Sequence, residues 1–115
     1  MPTAPGKTHF PAAELLTRVL PIDCEDHVKE NFMAMVREVL KLSPDCLAKV
    51  RGDGAYIFVP PKRQDEVEKN LLTLWLRKAS MSIDIRPTDG REPFIAADIP
   101  DYVKRLGERA GKLIG

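Results

Sequence analysis

Few residues in this chain could do chemistry, and their spacing decides how much. Cys24 and His27 stand three apart, which puts two side chains on one helix face and would let them share a metal ion. A zinc site needs a second close pair of the CxxC or HxxxH kind, and the other candidates, Cys46 and His9, are isolated. The same pair would make a nucleophilic dyad only with a group to orient the histidine and donors for an oxyanion, and nothing nearby signals either. Two stretches imitate a phosphate loop. Gly6-Lys7-Thr8 would need its leading glycine at position 1, which is Met1, and no strand precedes it. GERAGK at 107–112 has three residues between its glycines instead of four, no Ser or Thr after the lysine, and lies within an expected helix. No catalytic, metal-binding or cofactor-binding residue is therefore expected, and a small enzyme of unspecified chemistry ranks third among the functions considered.

The most unusual stretch is KVRGDGAYIFVPPKRQ, residues 49–64. Its Arg51-Gly52-Asp53 tripeptide reads as turn chemistry in a chain whose N-terminus has no apolar core and hence no secretory signal. From Arg51 to Phe58 it resembles in outline the RNA-recognition-motif signature, a basic residue, a glycine and spaced aromatics on a strand. The likeness breaks at Asp53 and Ala55, which stand where stacking aromatics are wanted. What remains is Tyr56 and Phe58 on one strand face, with Lys49, Arg51, Lys62 and Arg63 nearby. Residues 47–63 hold four bases and one acid, a local net +3. Such a basic hairpin could bind a single strand by stacking and phosphate contact. The competing expectation, preferred here, makes Tyr56 and Phe58 core residues and the basic flanks a guard against edge pairing.

The elements that must position these residues follow from periodicity. Residues 1–9 read as a loose tail and 10–115 as a single domain. A short helix is expected over 11–20, with Leu15, Leu16, Val19 and Leu20 inward and Pro21 ending it. A stronger helix follows from an Asp23 N-cap, with Val28, Phe32, Met35, Val36, Val39 and Leu42 at helical spacing and Ser43-Pro44 closing it. Leu47, Ala48, Lys49 and Val50, then 55–59, read as two strands around Gly52-Asp53-Gly54, where Asp-Gly signals a hairpin. In the second strand Ala55, Ile57 and Val59 point one way, Tyr56 and Phe58 the other. A third helix is expected over 65–79, with Val67, Leu71, Leu74 and Trp75 on one stripe and Leu72 and Leu76 on another. Met81, Ile83 and Ile85 alternate with Ser82, Asp84 and Arg86 as a half-buried strand. A short edge strand near Pro93 and a last helix from about Pro100 complete the order α-α-β-β-α-β-(β)-α. That is an α+β domain: a small, mostly antiparallel sheet of three or four strands carrying about four helices.

Composition bounds the function. A hydrophobic content of 43% is enough for a core, and no apolar run approaches a membrane span. Eighteen basic residues against seventeen acidic leave +1, less than a dedicated DNA binder usually carries. Two distant cysteines without a signal peptide point to free thiols and a cytoplasmic protein. Met33 and Leu40 widen the apolar arc of the second expected helix, and Leu72 and Leu76 that of the third. Together the two arcs exceed what a small sheet can cover, and surplus apolar surface marks a partner site. Phe32, Met33, Met35, Val36, Leu40, Leu72, Trp75 and Leu76 are therefore candidate contacts with another protein or a second copy of the chain. Residues 23–45, with six acids and three bases, are net −3, and this polarity against the basic hairpin favours protein association. The expected function is a small non-enzymatic regulator that binds protein and forms a homodimer, with a nucleic-acid-binding regulator as the alternative.

Overall fold

A computed structural model describes residues 9–17, 23–60, 69–85 and 90–114. In chain order its elements are β1 (Phe10–Pro11), a 3-10 helix (Ala12–Leu16), α1 (Asp26–Leu42), β2 (Leu47–Arg51), β3 (Gly54–Val59), β4 (Lys69–Leu76), β5 (Met81–Ile85), β6 (Glu92–Pro93), a second 3-10 helix (Ala96–Asp98) and α2 (Ile99–Ile114). The six strands form one sheet in the order of the sequence, and every neighbouring pair is antiparallel. This corrects the sequence expectation. Among the described residues two α-helices, not about four, lie on a sheet of six strands, not three or four.

The largest correction is β4. Residues 69–76 fall inside the helix expected over 65–79, of which 65–68 lie outside the described residues. Leucine and lysine favour helices, and the run satisfies both periods. Its 72/76 spacing fits a helix, and its 72/74/76 alternation fits a strand. Pairing decides. As a strand, β4 bonds to β3 on one side and β5 on the other, and Leu72, Leu74 and Leu76 all become buried. A bulge between Ile57 and Phe58 of β3 leaves Leu71 as the extra residue of β4, so Leu71 and Leu72 are both buried. Asn70 settles the carbonyls there, its amide donating to the oxygens of Leu72 (3.2 Å) and Ile57 (3.4 Å).

The helix expected over 11–20 is also corrected. Phe10 and Pro11 pair with β2, and the Ala12 N–H donates to the Cys46 carbonyl at 2.9 Å. This anchorage holds the segment beside the sheet; among the described residues of that stretch Ala12–Leu16 form a 3-10 helix, and 18–20 lie outside the described residues. The helix expected behind an Asp23 N-cap starts two residues later. Glu25, not Asp23, is its extended N-cap, and the Glu25 N–H is taken by the Lys78 carbonyl at 2.8 Å. At the β2–β3 hairpin, Gly52 carries φ +60 and no described non-glycine residue has positive φ. The turn is therefore Gly52-Asp53, with glycine at the first central position, rather than one set by Asp53-Gly54.

Alternation sorts the sheet into two faces. Ala48, Ala55, Ile57, Leu72, Leu74, Leu76, Met81, Ile83 and Ile85 join Val28, Phe32, Met35, Val36 and Val39 of α1 and Tyr102, Leu106 and Ala110 of α2 in one buried cluster. The helices pack on each other, and α2 lies along β3, β4 and β5. Tyr102 pins α2 to the last strand. Its hydroxyl accepts the Ile95 N–H at 3.0 Å and donates to the Pro93 carbonyl at 3.4 Å. Arg105 grips Glu92 with two hydrogen bonds at 2.9 and 3.3 Å. The result is a single small α+β domain of two layers, helices on one side of an antiparallel sheet.

Candidate functional site

The second face of the sheet is packed by neither helix, and register places its residues in rows. One row crosses Lys49, Tyr56, Thr73 and Asp84. The next crosses Arg51, Gly54, Trp75, Ser82 and Pro93. A third holds Leu47, Phe58 and Asn70. This is the polar side of each strand's alternation, yet it carries three aromatic rings.

Those rings are organised. Tyr56 and Trp75 meet edge to face, centroids 6.5 Å apart at 77°. His9 meets Phe58 the same way at 5.0 Å. Both pairings sit within the range that favours aromatic contact. Gly54 makes the first pair possible. A Cβ there would lie 2.9 Å from Tyr56 Cε1 and 3.3 Å from the Trp75 indole. The missing side chain thus lets both rings lie down over the strand. The Arg91 guanidinium stands over the Trp75 ring, 4.6 Å from its centroid, a cation–π stack.

The charges are arranged as well. Arg51, Arg77 and Arg91 are exposed at the Trp75 end of the sheet, and Lys49 is half-buried in the neighbouring row. None of the four is paired with an acid among the described residues. On the helical side, by contrast, Lys41 pairs with Glu38 at 3.1 Å, and Arg105 with Glu92 at 2.9 Å and Asp101 at 3.2 Å. The centre of the open face is polar. The Asn70 amide reaches the Thr73 hydroxyl at 3.4 Å. Asp84, opposite Thr73, is 7% exposed, and its Oδ1 has no hydrogen-bond partner among the described residues.

The candidate residues read from the sequence scatter over this geometry. Of the nucleic-acid set, Lys49, Arg51, Tyr56 and Phe58 share the open face, while Lys62 and Arg63 lie outside the described residues. The core placement expected for Tyr56 and Phe58 is corrected: both are half-buried on the opposite side of the sheet from the core. Of the protein-contact set, Phe32, Met35, Val36 and Leu72 have no exposure and Leu76 has 2%. Met33 and Leu40 pack partly buried against the same core. Trp75 alone of that set faces the open side. The expected tail, 1–9, lies outside the described residues except for His9, and so does Gly6-Lys7-Thr8. The 107–112 stretch is inside α2.

Sequence reasoning missed Gly54, Trp75, Arg77, Asp84 and Arg91 as members of one surface. The alternation of Thr73 and Trp75 with Leu72, Leu74 and Leu76 was the available signal. Cys24 and Cys46 are buried and form no disulfide, and burial pushes both thiols up from the ordinary cysteine range. His27 is turned to the Ala79 carbonyl (3.1 Å) and Glu25 (3.5 Å). Among the described residues no group of three or more His, Cys, Asp or Glu side chains is placed to hold a metal ion. No described helix is long and apolar enough to cross a membrane. Comparison with protein-family models, with curated proteins and with solved structures finds no match.

Proposed function

We propose that this chain is a non-enzymatic regulatory module whose open sheet face binds single-stranded nucleic acid. The observation that carries the reading is the Tyr56–Trp75–Arg91 cluster, aromatic surface beside cations that have no acid partner among the described residues, on a face no described helix covers. Bases stack on rings whatever their sequence, at about 1–3 kcal/mol each. Lys49, Arg51, Arg77 and Arg91 would neutralise phosphates, and four such contacts imply a slope of about −3 in log K against log salt for a single strand. Two buried cysteines that form no disulfide suit a reducing, cytoplasmic setting.

A second reading keeps the same face and changes the occupant to another protein or a second copy of the chain. Leu47 and Phe58 favour it, because these two neighbours are apolar and half-buried. One titration separates the two. Purified protein is added to a labelled mixed-sequence 12-mer, as DNA and as RNA, at two salt concentrations, while the free protein is sedimented after nuclease treatment. Salt-dependent binding of the single strand, weaker for the duplex, supports the first reading. A dimer at micromolar concentration that binds neither oligonucleotide supports the second and removes the first.

A further inference from the structure

We infer that the open face selects guanine, and that Asp84 is the group that reads it. The inference rests on the single-strand reading above. The motivating fact is a buried carboxylate oxygen, Asp84 Oδ1, left without a donor among the described residues on the strand next to Trp75. A buried acceptor without a partner is costly, and a ligand that brings donors removes that cost. The described residues do not supply them. Thr73, directly opposite, is not hydrogen-bonded to Asp84, and its hydroxyl oxygen already receives the Asn70 amide.

An ionised carboxylate only accepts hydrogen bonds. Base edges differ in what they can give it. Guanine presents two adjacent N–H donors on its Watson–Crick edge, N1–H and the N2 amino group, and can bond both carboxylate oxygens. Cytosine and adenine each pair one amino donor with a ring-nitrogen acceptor, and thymine or uracil sets its single N–H between two carbonyls. In those three an acceptor faces the carboxylate. Position fits the same choice. Asp84 lies diagonally from Trp75, which pairs with Ser82, and such neighbours are about 7–8 Å apart, the reach of one base. A base takes the indole face that the exposed Arg91 guanidinium now holds and brings its edge to Asp84.

The test compares labelled T12 with T12 carrying one central guanine, inosine or adenine, in DNA form, with the uridine series in RNA form. The guanine strand should bind about tenfold tighter than T12, a difference of about 1.4 kcal/mol. Inosine, which lacks the N2 amino group, should lose most of that gain. Asp84→Asn and Asp84→Ser should bring the guanine-to-thymine ratio close to one, with thermal melts run to confirm that each variant folds. Equal binding of T12 and the guanine strand by the parent overturns the inference while leaving the single-strand reading intact. So does a guanine preference that survives in a folded Asp84 variant, or one that inosine keeps in full. Should neither variant fold, the guanine–inosine contrast on the parent decides alone. Failure to bind any strand overturns this inference and the reading beneath it together.

Discussion

The two faces of β4 share one backbone, yet they have opposite surroundings. Leu72, Leu74 and Leu76 are sealed beneath the helices, while Trp75, on the same strand, stays half-buried under an arginine. Around the leucines the neighbours are the buried side chains of one apolar cluster. Around the tryptophan they are a glycine, a tyrosine edge and a guanidinium. The contrast teaches that apolar content alone does not mark a core. What separates core from interface here is which side of the sheet the helices cover, and that is set by the register of β4.

The widest gap between the faces should appear in stability. Leu72→Ala removes a fully buried side chain and should cost about 3 kcal/mol. Trp75→Ala, on the open face, should cost less than half as much although it deletes more atoms. Urea melts of both variants measure the contrast. Equal losses would mean that the indole is as much core as the leucine, and the division into two faces would fail.

Gly54→Ala should come next. The new Cβ would sit 2.9 Å from Tyr56 Cε1 and close to the indole, so the rings must move apart. Overpacking of this kind costs about 1–3 kcal/mol. The informative readout is tryptophan fluorescence beside the melt. A Gly54→Ala variant with the parent's emission and midpoint would show that the two rings do not depend on the glycine.

How much of this was legible depends on the range of the interaction involved. Residues 55–59 declare their two faces in the sequence, because alternation is a property of one strand. Met81, Ile83 and Ile85 declare theirs for the same reason. α1 and α2 show a 3.6-residue stripe and stand where it puts them, within a few residues at their starts. β4 cannot be read this way. Its Leu71, Leu72, Leu74, Trp75 and Leu76 satisfy a helix as well as a strand, and only pairing with two partners resolves it. One ambiguity then propagates. With 65–79 as a helix the sheet lacks its centre, and the apolar arc of α1 exceeds what the remaining strands can cover. Phe32, Met35 and Val36 then look like partner contacts, whereas the broader sheet buries them. The same reading keeps Trp75 apart from Tyr56, and Arg91, remote in sequence, has no reason to join them.

A smaller effect tests the rim on the helical side. Arg105 holds Glu92 and Asp101 at once, and the Glu92 hydrogen bond pushes its guanidinium still further toward the charged form. Glu92 is itself well exposed, so solvent weakens the pair. Glu92→Gln should cost about 0.5–1 kcal/mol and leave oligonucleotide binding at the parent level, because it faces away from the rings. Loss of binding in that variant would move the interface to the wrong side of the sheet.

The smallest effect concerns Cys46, which has no exposed surface beneath β1 and β2. Burial is the main cause that raises its thiol, opposed by the Ser43 hydrogen bond. In the unfolded chain the thiol ionises near its ordinary value of 9.0, while the folded protein holds the proton to higher pH. Below pH 9 both states are protonated and the group contributes its full stability. As pH rises above that value the unfolded chain releases the proton first, so stability falls and is lost through the folded value. The thiolate is the nucleophile, so the same burial should protect the sulfur from reagents. Iodoacetamide at about pH 8, below the thiol's ordinary value, should modify Cys46 in the native protein far more slowly than in guanidinium, with the rate governed by opening of the fold. Modification of native Cys46 at the unfolded rate would show that the sulfur reaches solvent, and the layer between β2 and the helices would then be open where it is described as closed.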